Sequence, residues 1–169
     1  MDDFATPGRP NGFGLAPSEA NYIKPGKKPL SSMSPTLIFR RSNSRPEGSF
    51  GELLLAVGAS GGPKIITAVV QIFLNRVILG MPLFEATVRP RVHDQLIYHG
   101  SAVTTIEESE LETGESILLG NRTRAALHKR YHQLLKINYM GTVRRALVEL
   151  QAWQRFSHQL GFSGASCFG

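Results

Sequence analysis

One six-residue run, Gly58-Ala-Ser-Gly-Gly-Pro63, constrains this chain more than any other part of it. Before it stands Phe50–Val57 (FGELLLAV), short and almost wholly apolar. After it comes Lys64–Leu79 (KIITAVVQIFLNRVIL), too long for one strand. Pro63 suits the first turn of a helix, where its missing N–H is no loss. Ile65, Val69, Ile72, Phe73, Arg76 and Leu79 then recur at helical spacing, with apolar residues on most sides. The stretch therefore predicts a strand, a glycine turn, and a buried helix ending at Gly80. Upstream, Thr36–Phe39 is a second short β-branched run, and RRSNSRPEGS between the two is polar and rich in turn formers. That predicts a hairpin with a long loop. Phe50–Val57, apolar on both faces, is expected to be its central, doubly covered strand.

The rest of the chain reads around this unit. Seven of the ten prolines lie in residues 1–50, so that region is extended and turn-rich rather than helical. Its Phe4, Phe13, Leu15, Tyr22, Ile23 and Leu30 suit a segment packed over a core. A short helix fits Leu83–Val88, ahead of Arg89-Pro90. Gln95–Tyr98 and Ala102–Ile106 read as short strands, and EESELETGES as an acidic turn. Thr123–Leu135 carries Leu127, Tyr131, Leu134 and Leu135 at helical spacing. Val143–Leu160 could be another helix, with Val143, Leu147, Leu150 and Trp153 on one face.

Composition bounds the class. At 41% hydrophobic residues the chain is globular rather than disordered. No run approaches the 18 or so apolar residues of a membrane span. A single cysteine, Cys167, excludes an internal disulfide framework, has no local base, and reads as inert. Residues 1–120 hold 11 Lys/Arg against 12 Asp/Glu, and residues 121–169 hold 8 against 1, so the net +6 belongs to the last third. A basic tail can bind nucleic acid or anionic lipid. No nucleic-acid-binding pattern accompanies it here, and a solvated face is the simpler reading.

Several residues could carry chemistry. A glycine pair at a strand-to-helix turn lets backbone N–H groups point into a cleft, and the helix N-terminus adds positive potential. The unit can therefore cradle an anion or a developing oxyanion, or be only a close-packed turn. Gly58-Ala-Ser60-Gly-Gly62 also fits G-x-S-x-G, with Asp94 and His128, His132 or His158 available for a triad. That leaves a small serine hydrolase using Ser60 as one alternative. A non-catalytic binding protein using the basic tail is another. Lys64 follows Pro63 and does not complete a P-loop. Ser31 and Ser32, between Pro29 and Pro35, can donate to a carboxylate or cap local turns. Asp2-Asp3 can hold an ammonium group or be an exposed terminus. His93, Asp94 and His99 match no zinc spacing, and His128 and His132, one helical turn apart, lack the intervening Glu of a metalloprotease.

Four blocks occur in a telling order: M-D-D-F, then N-Y-I-K-P-G-K-K-P-L-S-S-M-S-P-T, then V-G-A-S-G-G-P-K-I-I-T, then R-P-R-V-H-D-Q-L. Together they resemble the small subunit of the γ-glutamyltranspeptidase (glutathione hydrolase) family, over about residues 1–145. The resemblance implies an α+β fold, an αββα sandwich of the N-terminal-nucleophile hydrolase type, incomplete in this chain. It implies γ-glutamyl transfer or hydrolysis of glutathione and other γ-glutamyl amides by a self-cleaving precursor, with no cofactor. The new N-terminal threonine attacks, and its free amino group serves as base. Asp3 would grip the substrate's α-ammonium. Ser31 and Ser32 would bind its α-carboxylate, helped by an arginine of the large subunit. Gly61 and Gly62 would form the oxyanion hole, and Ser60 would belong to the turn. The nucleophile lies before M-D-D-F in this family, so this chain is expected to lack it, to need the missing upstream segments as partners, and to be inactive alone. Residues 146–169 do not resemble the family's ending and read as a divergent basic tail, through a shifted frame or a decayed copy. Neither nucleic acid nor direct membrane contact is implied. The location implied is the outer side of the plasma membrane or a secreted space.

Overall fold

The computed structural model describes residues 5–41, 49–110 and 113–137. Asp3, the helix expected over Val143–Leu160, and the tail 146–169 with His158 and Cys167 lie outside the described residues.

The hairpin forms where its two apolar runs predict it. β1 (Thr36–Phe39) and β2 (Leu53–Val57) pair antiparallel, Thr36 opposite Val57 and Ile38 opposite Leu55. Past Ile38 the register slips, and the rings of Phe39 and Phe50 meet at 4.8 Å. Period-2 alternation sends Leu55 and Val57 to one face. There they meet Ile65, Val69 and Ile72 of α1 (Lys64–Phe73), with Ile38 and Ala59 alongside. Each such side chain removed from water contributes about 2 kcal/mol. Leu83, the first residue of α2 (Leu83–Val88), closes the cluster.

Two expectations need correction here. Among the described residues β2 pairs with β1 alone, in a two-stranded sheet, rather than between two neighbours. Leu54 and Ala56, on its second face, keep part of their exposure. The helix is likewise buried on one side only: Ile66, Val70 and Leu74 are each 43–48% exposed. Beyond Phe73 it widens into a π turn, Leu74–Ile78, closed by the Leu79 N–H on the Leu74 carbonyl at 2.9 Å.

A second sheet stands beside α1. β3 (Val92–His93) pairs antiparallel with β4 (Thr104–Glu107), and β4 pairs parallel with β7 (Leu134–Ile137). Parallel pairing needs a long crossover. It runs through β5 (Ser109–Glu110), β6 (Ser116–Ile117) and α3 (Asn121–His128). Arg91 clamps β3 to β4 with a two-pronged bond to Glu107, Nε to Oε2 at 2.5 Å and Nη2 to Oε1 at 2.7 Å. Gln71 staples α1 to β3, its amide donating to the Val92 carbonyl and accepting the Val92 N–H, at 2.8 and 2.9 Å.

Periodicity misleads in this half. The helix predicted over Thr123–Leu135 stops at His128, and Tyr131 turns the chain at φ +66°. Leu134 and Leu135, which had looked helical, lie opposite Thr104 and Thr105 in the sheet. Partner pairing overrides a weak helical pattern. Gln95–Tyr98 is a bend rather than a strand, because the Asp94 carboxylate accepts the Leu96 N–H at 2.8 Å and folds the chain back. Within the acidic stretch, β5 and β6 make a small hairpin. The described architecture is thus mixed α+β. None of its helices is long and apolar enough to cross a membrane.

Candidate active site

The glycine turn takes its shape from the two elements it joins. β2 ends at Val57 and α1 begins at Lys64, so six residues must reverse direction. Gly61 and Gly62 do this at φ +132° and +64°, which side-chain-bearing residues adopt only with strain. Pro63 follows at φ −61° and starts the helix, and Ile65 N–H bonds back to the Gly62 carbonyl at 3.1 Å. Two successive amides in such a turn can converge on one anion.

The turn is pressed from outside by Phe13. A Cβ on Gly62 would lie 2.5 Å from Phe13 Cε1 and Cζ. Phe13 belongs to a loop wound around Asn11, whose Oδ1 accepts the N–H groups of Phe13 and Leu15, both at 3.0 Å. Asn11 N–H bonds to the Leu15 carbonyl at 3.0 Å, and Gly14 N–H to the Asn11 carbonyl at 2.9 Å. Gly14 sits at φ +75°, where a Cβ would come within 2.5 Å of the His99 backbone nitrogen. Ala5, the first described residue, is buried. Asp3, two residues earlier, is among the residues left undescribed.

Ser31 and Ser32 lie in the extended segment leading into β1. Ser31 Oγ accepts the Met33 N–H at 3.1 Å, so the local-turn reading is met. A hydroxyl that accepts still has its own proton to donate. The Ser32 carbonyl accepts from Ser34 Oγ at 3.1 Å. Because Thr36 faces Val57, the serine segment and the glycine turn leave the hairpin at the same end. At that end of the hairpin an apolar cleft of about 360 Å³ is lined by Pro35–Leu37 and Ala56–Ser60, next in sequence to the serines and the glycine pair but not by them.

The Ser60 triad is not the arrangement that Asp94 and His132 make. His132 Nδ1 lies 3.2 Å from Asp94 Oδ2, and both reach the hydroxyl of Thr104. Thr104 is 1% exposed on β4, so this trio ties β7 to the Asp94 bend. The Thr104 hydroxyl holds the Asp94 carboxyl below its ordinary value of 3.8; desolvation opposes it, and the Leu96 N–H and His132 assist. Lys64, at the helix start, places its ammonium 5.3 Å from the Tyr98 ring centre. No group of three or more His, Cys, Asp or Glu side chains able to hold a metal occurs among the described residues.

Sequence reasoning missed what stands behind the glycine turn. His93, 3% exposed, bonds through Nδ1 to Thr67 Oγ1 at 2.9 Å and through Nε2 to Gln95 Oε1 at 3.0 Å. Gln95 Nε2 donates to the carbonyls of Phe13 and Ile97, both at 3.0 Å. The available signal was N-G-F-G beside H-D-Q; only their distance in sequence hid the connection.

Known proteins bear on this geometry. The family model for gamma-glutamyltranspeptidase matches residues 1–163. The glutathione hydrolase proenzyme of Arthroderma benhamiae is 47% identical over 97 residues, covering 57% of this chain and 15% of that protein. Glutathione hydrolase 2 of Arabidopsis thaliana is 35% identical over 154 residues, covering 88% of this chain and 24% of that protein. A mutant gamma-glutamyltranspeptidase of Helicobacter pylori superposes with a TM-score of 0.65 at 34% identity, over 85% of this chain and 67% of the solved one. This chain therefore spans about 15–24% of the length of those two curated relatives. The match over nearly the whole sequence, joined to the glycine turn and the serine segment at one end of a hairpin, makes the chain a member of the gamma-glutamyltranspeptidase family.

Proposed function

We propose that this chain supplies the substrate-recognition and oxyanion elements of an enzyme that transfers or hydrolyses the γ-glutamyl group of glutathione and related amides. The observation that carries the reading is the Gly61–Gly62 turn, two consecutive glycines at positive φ ahead of a helix. In acyl transfer a hydroxyl oxygen adds to the amide carbon and the carbonyl oxygen becomes an oxyanion. The C–N bond then breaks, and the amine leaves with a proton. The Gly61 and Gly62 N–H groups would donate to that oxyanion. One such donor is worth about 3 kcal/mol of barrier in comparable hydrolases.

Substrate selection would rest on the amino-acid head of the γ-glutamyl group. Ser31 and Ser32 would donate to its α-carboxylate and Asp3 would hold its α-ammonium. The shared exit of the serine segment and the turn supports these roles. The nucleophilic threonine, which the family pattern puts before M-D-D-F, would come from the rest of the polypeptide. The partly exposed Ile66 and Val70 on α1, with Leu74 just past its end, suit packing against that remainder, as the layers of an αββα sandwich require. An extracytoplasmic location fits the family pattern.

Calorimetric titration with glutathione tests the reading. A 1:1 complex is expected, weakened about tenfold by Asp3→Asn or by Ser31→Ala with Ser32→Ala, as loss of a charge-assisted hydrogen bond implies. An α-glutamyl dipeptide should not compete. Equal binding of both ligands, or none of glutathione, would overturn it.

A further inference from the structure

We propose that His93 and Gln95 are positioning residues: through Phe13 they brace the Gly61–Gly62 turn from behind and fix the direction of its N–H groups. The proposal rests on the oxyanion role argued above and adds the residues that hold it. The connections form a closed circuit. Thr67 stands one turn into α1, directly after the glycine pair. Its hydroxyl meets His93 Nδ1, and His93 Nε2 meets Gln95 Oε1. The Gln95 amide orientation is dictated by its neighbours, since Nε2 faces two carbonyls, Phe13 and Ile97, that can only accept. Its Oε1 must then accept, so His93 Nε2 carries a proton. In the neutral ring Nδ1 is then an acceptor, and the single Thr67 hydroxyl proton lies between it at 2.9 Å and the Lys64 carbonyl at 3.1 Å. Phe13 completes the circuit, because its ring lies against Gly62, which leads back into α1.

Each link is held by something outside it. Thr105 Oγ1 donates to the His93 carbonyl at 3.0 Å and seats the imidazole on β4. Gln71 fixes the same helix turn to Val92. The Asn11 knot fixes the Phe13 carbonyl and ring together. Leu96 and His99, at φ +69° and +47°, hold strained backbone on either side of Ile97, whose carbonyl accepts from Gln95. Strain of that kind persists only where surrounding contacts enforce it. A turn held by glycines alone would wander, because glycine restricts its own backbone least. The circuit supplies the missing rigidity, and electrostatic stabilisation of an oxyanion depends on donors that do not reorganise during reaction.

Nuclear magnetic resonance of the isotopically labelled chain tests this. The native protein should show a strong nuclear Overhauser contact between the Phe13 ring and Gly62 Hα, with the Gly62 signals displaced by the ring current. Gln95→Ala should remove both, matching the Gly62 positions of Phe13→Ala. Gln95→Glu keeps the acceptor for His93 but cannot donate to the Phe13 carbonyl, and it should lose them as well. The amide signals of Thr105 and Ile106 serve as the folding control. An absent Phe13–Gly62 contact in the native protein, or its survival in either variant, would overturn the proposal. Glutathione titration of the same samples separates the two readings. If native protein ignores glutathione while the Gly62 signals respond to Gln95, the brace stands and the oxyanion role falls. If native protein binds glutathione and Gly62 does not respond to Gln95, the brace falls and the oxyanion role stands.

Discussion

Replacing Gly62 by alanine sets backbone strain and a side-chain collision at one atom. At φ +64° an alanine sits in the left-handed region, which costs about 1–2 kcal/mol for a residue with a Cβ. That Cβ would also stand 2.5 Å from two carbons of the Phe13 ring, well inside van der Waals contact. The backbone of the turn is tied to α1, so the ring has to move. Phe13 is 36% exposed, and unseating its buried remainder costs about another 1–2 kcal/mol. Gly62→Ala should therefore cost about 2–4 kcal/mol in urea unfolding followed by far-ultraviolet circular dichroism. In a Phe13→Ala background the collision is gone and only the backbone strain remains, so the same substitution should cost about 1–2 kcal/mol. The double-mutant cycle then has a coupling of about 1–2 kcal/mol, beyond the roughly 0.5 kcal/mol scatter of independent sites. Additive losses would refute the contact between Phe13 and the glycine turn.

Other perturbations probe other parts of the structure. Leu55→Ala empties the centre of the β2–α1 cluster, where Leu55 is 1% exposed, and should cost about 3 kcal/mol in the same assay. Asn11→Ala removes the acceptor of two backbone N–H groups and should cost about 1–2 kcal/mol, with faster amide exchange at Phe13 and Leu15. Glu108 is 6% exposed and bonded to Arg124 and the Leu119 N–H. Burial raises its carboxyl, but those donors and Lys136 outweigh that and hold it below its ordinary value of 4.5. Its contribution is thus complete above about pH 4.5 and is lost as pH falls through the depressed folded value. Glu108→Gln should flatten that acid limb and cost about 2 kcal/mol at pH 7, less than a fully buried pair because Arg124 is a third exposed. An unchanged acid limb would remove Glu108 from the account.

What could be read from the residues was local. FGELLLAV, GASGGP and KIITAVVQIF each carry their own element in their spacing, and the hairpin, glycine turn and helix followed. The four family blocks carried the family. What escaped depended on partners far along the chain. Phe50–Val57 looked central because apolar composition alone cannot say how many neighbours a strand has. Leu134 and Leu135 looked helical until β4 offered them parallel pairing. Gln95–Tyr98 looked extended, and one Asp94 side chain bends it. The Phe13–Gln95 bond joins residues 82 apart, a distance over which no periodicity speaks.

The central claim is that the serine segment and the glycine turn form one pocket for a γ-glutamyl group. A ¹⁵N-resolved glutathione titration asks it directly. The amides of Ser31, Ser32, Gly61 and Gly62 should shift together along one saturation curve, with a single Kd and no matching response on β7. Stationary glycine amides, or serine and glycine curves with different Kd values, would contradict it.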